Sequence, residues 1–217
     1  MTINDIQLSE WHLIRHAPVQ NARKGIYSNA DDEAQLPDQD IIRDQASRLP
    51  DNALWFVSPL LRTKQTADAL RNEMKLPGDI FYLDELKEQN FGDWQGLSFE
   101  DIWQKIKNLP AHNWSLLTAD NAPPNGESFL DVQSRVSDFI EQNIKVNIDR
   151  PRIMVTHAGV IRSFIGLTLE LDSNKALSLE VSPFSLSQLT HQTGEGKGGQ
   201  WQLNALNRTC ESNQHER

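Results

Sequence analysis

Cysteine is almost missing: Cys210 is the only one in 217 residues. A single thiol cannot close an internal disulfide or furnish a thiolate metal cluster, so a disulfide scaffold and a cysteine-rich metal centre are both excluded. Positive charge is also scarce, 21 Lys and Arg against 30 Asp and Glu, for a net charge of −9. Affinity for nucleic acid or anionic membrane comes mainly from excess Lys and Arg, so neither is expected as a partner. Long apolar runs are absent; Ala53–Val57 is the nearest thing, far short of the roughly 18 residues of a membrane span. The start, Met1-Thr2-Ile3-Asn4-Asp5, has neither the basic nor the apolar region of a secretory signal. These absences lead to the expectation of a cytoplasmic protein in a reducing compartment. At this length one fold would bury roughly 70–75% of the unfolded surface, enough for a core of its own.

Against that background, short apolar runs alternate with helical periodicity. Trp11–Ile14, Leu54–Val57, Ile80–Leu83 and Ile153–Val155 read as buried strands. Ala67, Leu70 and Met74 share a helical face that Pro77-Gly78 should stop. A longer helix is expected from Ser128, through Phe129, Val132, Val136, Ile140 and Ile144, with Asp131 in its first turn, where the helix dipole favours it. Another should run from about Val160 to Leu169. Phe184–His191 and Gln200–Leu206 alternate like hairpin strands around Gly194–Gly199. The expected fold is α/β: a three-layer sandwich with a mostly parallel sheet covered by helices on both faces. One domain over 1–208 is expected, with a helical insertion at about 97–126 and a polar, disordered tail at 209–217.

Several strand ends carry groups able to do chemistry. In a parallel sheet, ligands bind outside the carboxyl ends of the strands, and the first strand ends in Arg15-His16. The fourth runs into Thr156-His157-Ala158-Gly159, where small residues and a helix start offer backbone N–H groups to an anion. A two-histidine metal site is the rival reading, but it would want a third or fourth ligand. After the second strand, Arg62 falls in the first turn of a helix, where a cation opposes the dipole unless an anion is bound; a solvated surface arginine is the plain alternative. After the third, Glu88 opens a loop, Glu88–Gly96, in which Gly92 and Gly96 bracket Trp94. A carboxylate there can serve as a general acid, or simply face solvent.

Together these pieces resemble the histidine phosphatase, or phosphoglycerate mutase-like, superfamily. The resemblance rests on Arg15-His16-Ala17, Ser58 to Ala67, Glu88 to Gly96, Gly126-Glu127-Ser128 and His157-Ala158-Gly159, in that order, and covers about residues 11–166. It implies that His16 is a nucleophile that becomes phosphohistidine, that Arg15, Arg62, His157 and Ala158 hold the phosphoryl group, and that Glu88 protonates the leaving group, so that His16, Glu88 and His157 form the catalytic set. No metal and no cofactor is implied; the partner is a small-molecule phosphate ester. The physics is consistent with this. A loose phosphoryl-transfer transition state asks for in-line geometry and positive charge around three equatorial oxygens. His16 must be neutral, with its second nitrogen donating to a backbone carbonyl. Glu88 must hold a proton as the alcohol leaves.

The sequence also departs from the family pattern. Ala17 stands where most relatives have glycine, Pro18-Val19 replaces Glu-Thr, and Gln95 replaces a commonly acidic residue. Alanine is harmless only if the backbone at 17 has negative φ. Within the superfamily the chain looks closer to the phosphatase branch, with the α-ribazole phosphatases the nearest group. Asn21, Arg23, Lys24 and Tyr27, in the long loop after His16, are candidates for gripping substrate. Trp103 and Trp114 could stack on a heteroaromatic base, but packing of the insertion onto the sheet is the preferred reading for both. Mutase-type phosphoryl transfer and a catalytically idle phospho-ligand binder stay open as alternatives.

Overall fold

The computed structural model describes residues 6–20, 32–146, 149–194 and 196–210. Six strands form one sheet: β1 (Leu8–Arg15), β2 (Leu54–Val57), β3 (Asp79–Tyr82), β4 (Arg152–Thr156), β5 (Leu186–Gln192) and β6 (Trp201–Arg208), in the order β3-β2-β4-β1-β5-β6. β3, β2, β4 and β1 pair in parallel, whereas β5 pairs antiparallel with β1 and β6 with β5. The sheet is mixed and mostly parallel, as the alternation of strand and helix signals implies.

Solidly apolar strands arise because both faces are covered. From β1, β2 and β4, Trp11, Leu13, Leu54, Phe56 and Met154 enter one core together with Val132, Val136, Phe139 and Ile140 of α4 (Phe129–Asn143) and Val160, Ile161, Phe164 and Ile165 of α5 (Ala158–Thr168). The residues in between, Ile14, Trp55, Val57, Ile153 and Val155, enter the other core. There they meet Ile42 and Ala46 of α1 (Gln39–Ser47) and Ala67 and Leu70 of α2 (Leu61–Asn72). The period of two along each strand thus divides one apolar run between two helix layers.

Three expectations need correction. The third apolar run is an edge strand with one neighbour, so Phe81 and Tyr82 stay 45% and 47% exposed instead of buried. Met74 lies past the end of α2, which closes at Asn72, before Pro77-Gly78 is reached. Trp103 and Trp114 do not pack onto the sheet; they are 60% and 74% exposed. The reason for Trp103 is angular. It belongs to α3 (Phe99–Ile106), which buries Ile102 and Ile106, and the residue after Ile102 points about 100° away from that face. Between 97 and 126, α3 is the only α-helix; a short helix α6 (Ser173–Ala176) follows α5.

Helix starts fall where capping residues stand. Ser128 caps α4 in a reciprocal box with Asp131, Ser98 caps α3, and Asp172 caps α6. α2 and α5 start differently. Their N-cap residues, Leu60 and His157, supply no side-chain hydrogen bond, and neither helix has an acidic residue in its first turn. Both helices start at the carboxyl edge of the sheet.

Candidate active site

Strand register brings the site together. Arg15 pairs with Thr156 and Val57 with Val155, so His16 and His157 emerge at one level, with Ser58 one residue below them at the same edge. Backbone bonds extend the ladder by one step: His16 N–H donates to Thr156 O (2.9 Å) and Ser58 N–H to Val155 O (3.0 Å). The Thr156 hydroxyl donates to Leu86 O (2.7 Å), which fastens the approach to Glu88 against the same edge.

His16 is 2% exposed, and its Nδ1 bonds to Ala17 O at 2.6 Å. A carbonyl only accepts, so Nδ1 carries the hydrogen and the Nε2 lone pair faces the pocket. Arg62 Nε donates to that Nε2 at 3.4 Å. Burial, then the Arg62 guanidinium, and more weakly Arg15, push the His16 pKa down to about 3 against the pull of the Ala17 carbonyl. The imidazole is therefore neutral at pH 7, with Nε2 unprotonated. Ala17 is buried and outside the positive-φ region, so alanine is accommodated here, and its N–H donates to Thr66 Oγ1 at 3.0 Å.

His157 is fully buried and 5.1 Å from His16, ring centre to ring centre. Its Nε2 bonds to Ser58 Oγ at 2.9 Å, and its Nδ1 lies 3.4 Å from Arg62 Nη2 and 3.9 Å from Glu88 Oε2. Burial, then His16 and Arg62, hold its pKa well below the ordinary histidine value. Arg62 thus bridges both imidazoles while itself 3% exposed. Arg15 is half-buried; its Nη1 donates to Val181 O at 2.7 Å, and its charge is felt at both histidines. Ala158 opens α5 beside them, its helix start uncapped by any side chain.

Glu88 is held by a clamp that the motifs only hinted at. Its Oε1 accepts from Gln89 N–H at 3.0 Å. Glu127 accepts from Asn90 N–H (2.8 Å) and from Arg135 at two oxygens (3.0 and 3.2 Å), and Arg135 Nη1 reaches Glu85 O at 2.6 Å. Gly92 (φ +49°) and Gly126 let two backbones touch at this clamp; a methyl group at Gly126 would stand 2.5 Å from Asn90 O.

The structure brings His16, Arg62, His157 and Glu88 into contact, with Arg15 and Ala158 adjoining. Trp103 lies on the outward face of α3, and Asn21, Arg23, Lys24 and Tyr27 fall outside the described residues. Ser58 and Arg135 were not singled out from sequence. Ser58 stood inside a quoted motif, but nothing local told its hydroxyl from any other. Arg135 is eight residues beyond Glu127, and their meeting depends on the bend into α4. Among the described residues, no group of three or more His, Cys, Asp and Glu side chains is placed to hold a metal ion, and no helix is long and apolar enough to cross a membrane. The pocket offers one lone-pair nitrogen, two guanidinium groups, bare helix N–H groups and one carboxylate, a set suited to an anion with three free oxygens.

Comparison with known proteins places this arrangement. Over 130 residues the chain is 28% identical to a 2,3-bisphosphoglycerate-dependent phosphoglycerate mutase of Bartonella bacilliformis, which covers 58% of this chain; the chain spans 63% of that relative's length. A mycobacterial glucosyl-3-phosphoglycerate phosphatase superposes with a TM-score of 0.73 over 93% of this chain and 100% of its own, at 23% identity. The α-ribazole phosphatase of Shigella flexneri does so with a TM-score of 0.68 over 92% and 96%, also at 23% identity. At such identities these two structures show a shared fold. The family pattern itself, described as Histidine phosphatase superfamily (branch 1), matches residues 11–209. From strand order to site, the chain belongs to the histidine phosphatase superfamily.

Proposed function

We propose that the protein is a phosphomonoesterase that hydrolyses a small phosphorylated metabolite through a phosphohistidine, without a metal ion. One observation carries the reading: His16 is fixed as the Nδ1–H tautomer by Ala17 O, and its Nε2 lone pair faces a pocket that Arg62 and His157 close. In the first step Nε2 attacks phosphorus and the P–O ester bond breaks. The Glu88 carboxyl gives its proton to the departing oxygen. In the second step Glu88 takes a proton from water, whose oxygen attacks phosphorus and releases phosphate and His16. Arg15, Arg62, His157 and the N–H groups at Ala158 stabilise the charge on the three equatorial oxygens throughout. This local cationic field also draws an anionic ester to a protein of net charge −9.

Two substrate types have support. The Leu86–Trp94 segment resembles the phosphatase branch, within which the α-ribazole phosphatases are the nearest group, and this favours α-ribazole 5′-phosphate. The names of the mutase and of the glucosyl-3-phosphoglycerate phosphatase favour phosphoglycerate-type esters. The relationship to the mutase also supports a second reading, in which the phosphoryl group passes to another hydroxyl instead of to water.

The test is phosphate release from p-nitrophenyl phosphate, α-ribazole 5′-phosphate and 3-phosphoglycerate, with EDTA present. We expect turnover by the native chain and a loss of at least about 10,000-fold in His16→Ala, as for removal of other covalent nucleophiles. Inhibition by EDTA would overturn the metal-free route. Conversion of 3-phosphoglycerate to its isomer without phosphate release would select the mutase. Absence of both, in a folded protein that binds phosphate, would select an idle binder.

A further inference from the structure

Arg162 lies outside the family motifs described above, yet the structure puts it beside the reacting centre. It sits on α5, three residues after Gly159, and residues three apart share a helix face. Gly159 is where Glu88 rests: a methyl group there would stand 3.0 Å from Glu88 Oε1. Arg162 therefore stands one turn further along the face against which Glu88 packs. Its Nε donates to Leu179 O at 2.8 Å, which sets the plane of the guanidinium. Two residues on, Val181 O holds Arg15 Nη1, so one stretch of backbone orients both arginines.

Arg162 is half-buried, and its two terminal nitrogens make no hydrogen bond or ion pair with any described residue. Burial and the charge of Arg15 act against its ionised form, while Glu88 favours it. A guanidinium nonetheless stays charged at any working pH. Burying such a charge costs free energy unless an anion meets it. The transferred phosphoryl group already has Arg15, Arg62 and His157. Glu88 marks the position of the ester oxygen, since it delivers the proton there. Whatever extends past Glu88 to Arg162 belongs to the leaving alcohol.

We propose that Arg162 is a specificity-determining residue that receives a second anionic group, a carboxylate or a phosphate, carried by the leaving alcohol. The planar fork of its two terminal nitrogens matches either group. The proposal rests on the phosphoryl-transfer reading above and narrows its substrate class. It ranks esters of acidic alcohols above α-ribazole 5′-phosphate, whose leaving nucleoside carries no anion.

Matched esters test it. 3-Phosphoglycerate and glycerol 3-phosphate differ only in a carboxylate against a hydroxymethyl group; propane-1,3-diol bisphosphate and its monophosphate probe a phosphate in the same role. In the native enzyme, kcat/KM for at least one acidic member should exceed that of its partner by about 10-fold or more, as expected for a charge-assisted pair, and the pair that shows it identifies the anion. Arg162→Met should bring that ratio close to one, and Arg162→Lys should restore part of it. Equal rates within both pairs in the native enzyme would overturn the proposal. So would a parallel fall of both members in Arg162→Met, which would mean that Arg162 acts only through Glu88. His16-dependent turnover of p-nitrophenyl phosphate separates failure of this proposal from failure of the hydrolase reading. Should that turnover be absent, calorimetry on His16→Ala still decides. 3-Phosphoglycerate or the bisphosphate must bind about 10-fold tighter than its partner, and the difference must vanish in His16→Ala/Arg162→Met.

Discussion

Arg62 and Arg152 are buried almost equally, at 3% and 0% exposure, at opposite edges of one sheet. Arg152 opens β4 at the amino edge. Its terminal nitrogens donate to Arg150 O, Asn143 O and Val146 O, and its guanidinium lies 4.9 Å from the Trp11 ring centre. Those partners are permanent acceptors supplied by the chain. Arg62 stands at the carboxyl edge, where its bonds to imidazole nitrogens are both 3.4 Å long. The first arginine ties a loop to the sheet; the second lies between the two histidines of the site. Residue type and burial alone do not separate structure from function here. The identity of the hydrogen-bond acceptors does.

Substitution at the two arginines breaks the comparison most directly. Arg62→Met should lower kcat/KM by about 100- to 1,000-fold, the range for losing one preorganised donor to a transition-state oxygen, and should leave the denaturant midpoint close to native. Arg152→Met should do the reverse. It strands three carbonyl groups and removes a stacked cation, so it should destabilise by about 2–4 kcal/mol, with the remaining folded protein still turning over p-nitrophenyl phosphate. Steady-state kinetics and urea titration of both variants check the pair; equal effects on both readouts would end the distinction.

Acidity sharpens it next. The pKa of His16 is lowered in the folded state from 6.5 to about 3, and His157, His12 and His191 are lowered as well, burial being the largest cause in each. Below pH 6.5 the unfolded chain therefore binds more protons than the folded one, and stability falls as pH drops from above 6.5 toward 3. At pH 5 the His16 contribution alone amounts to about 2 kcal/mol. Urea midpoints at pH 7.5 and pH 5 should show the loss, and His16→Ala should show less of it. A flat profile would contradict the neutral imidazole pair on which nucleophilic attack depends.

The smallest effect concerns helix starts. Ser128 both accepts from Asp131 N–H (3.1 Å) and donates to Asp131 Oδ2 (2.6 Å), closing the start of α4 with its own side chains. Ser128→Ala should cost about 1 kcal/mol while kcat/KM changes by less than about 2-fold. Thermal melting and p-nitrophenyl phosphate kinetics check it. A large activity loss would mean that the Glu127–Arg135 clamp depends on this cap.

Particular elements explain how much could be read in advance. β2, Leu54–Val57, was legible because a strand buried on both faces is a continuous apolar run. The start of α4 was legible because Ser128 and Asp131 announce it locally. α1 went unread, since only Ile42, Gln45 and Ala46 of its nine residues are buried and two apolar positions make a weak stripe. β3 was read as buried because its run is apolar, and nothing in a run says that the sheet ends there. At the site, His16, Arg15, Arg62, Glu88 and His157 were legible through the spacing of five motifs. Ser58 on His157, Arg135 on Glu127 and Arg162 beside Glu88 were not, because each pairing joins positions whose proximity depends on strand pairing or on how helices lie over the sheet.

The sequence by itself determined the alternation of strands and helices, the two-sided cover of the sheet and the residue types at the strand ends, because these follow from local periodicity and from short motifs. Only the tertiary structure decided which nitrogen of His16 keeps its lone pair, which arginine meets the histidines and which meets backbone carbonyls, and that Trp103 faces outward. Hydrogen-bond partners and burial are set by residues far apart in the chain, and parallel register brings those residues to one edge of the sheet.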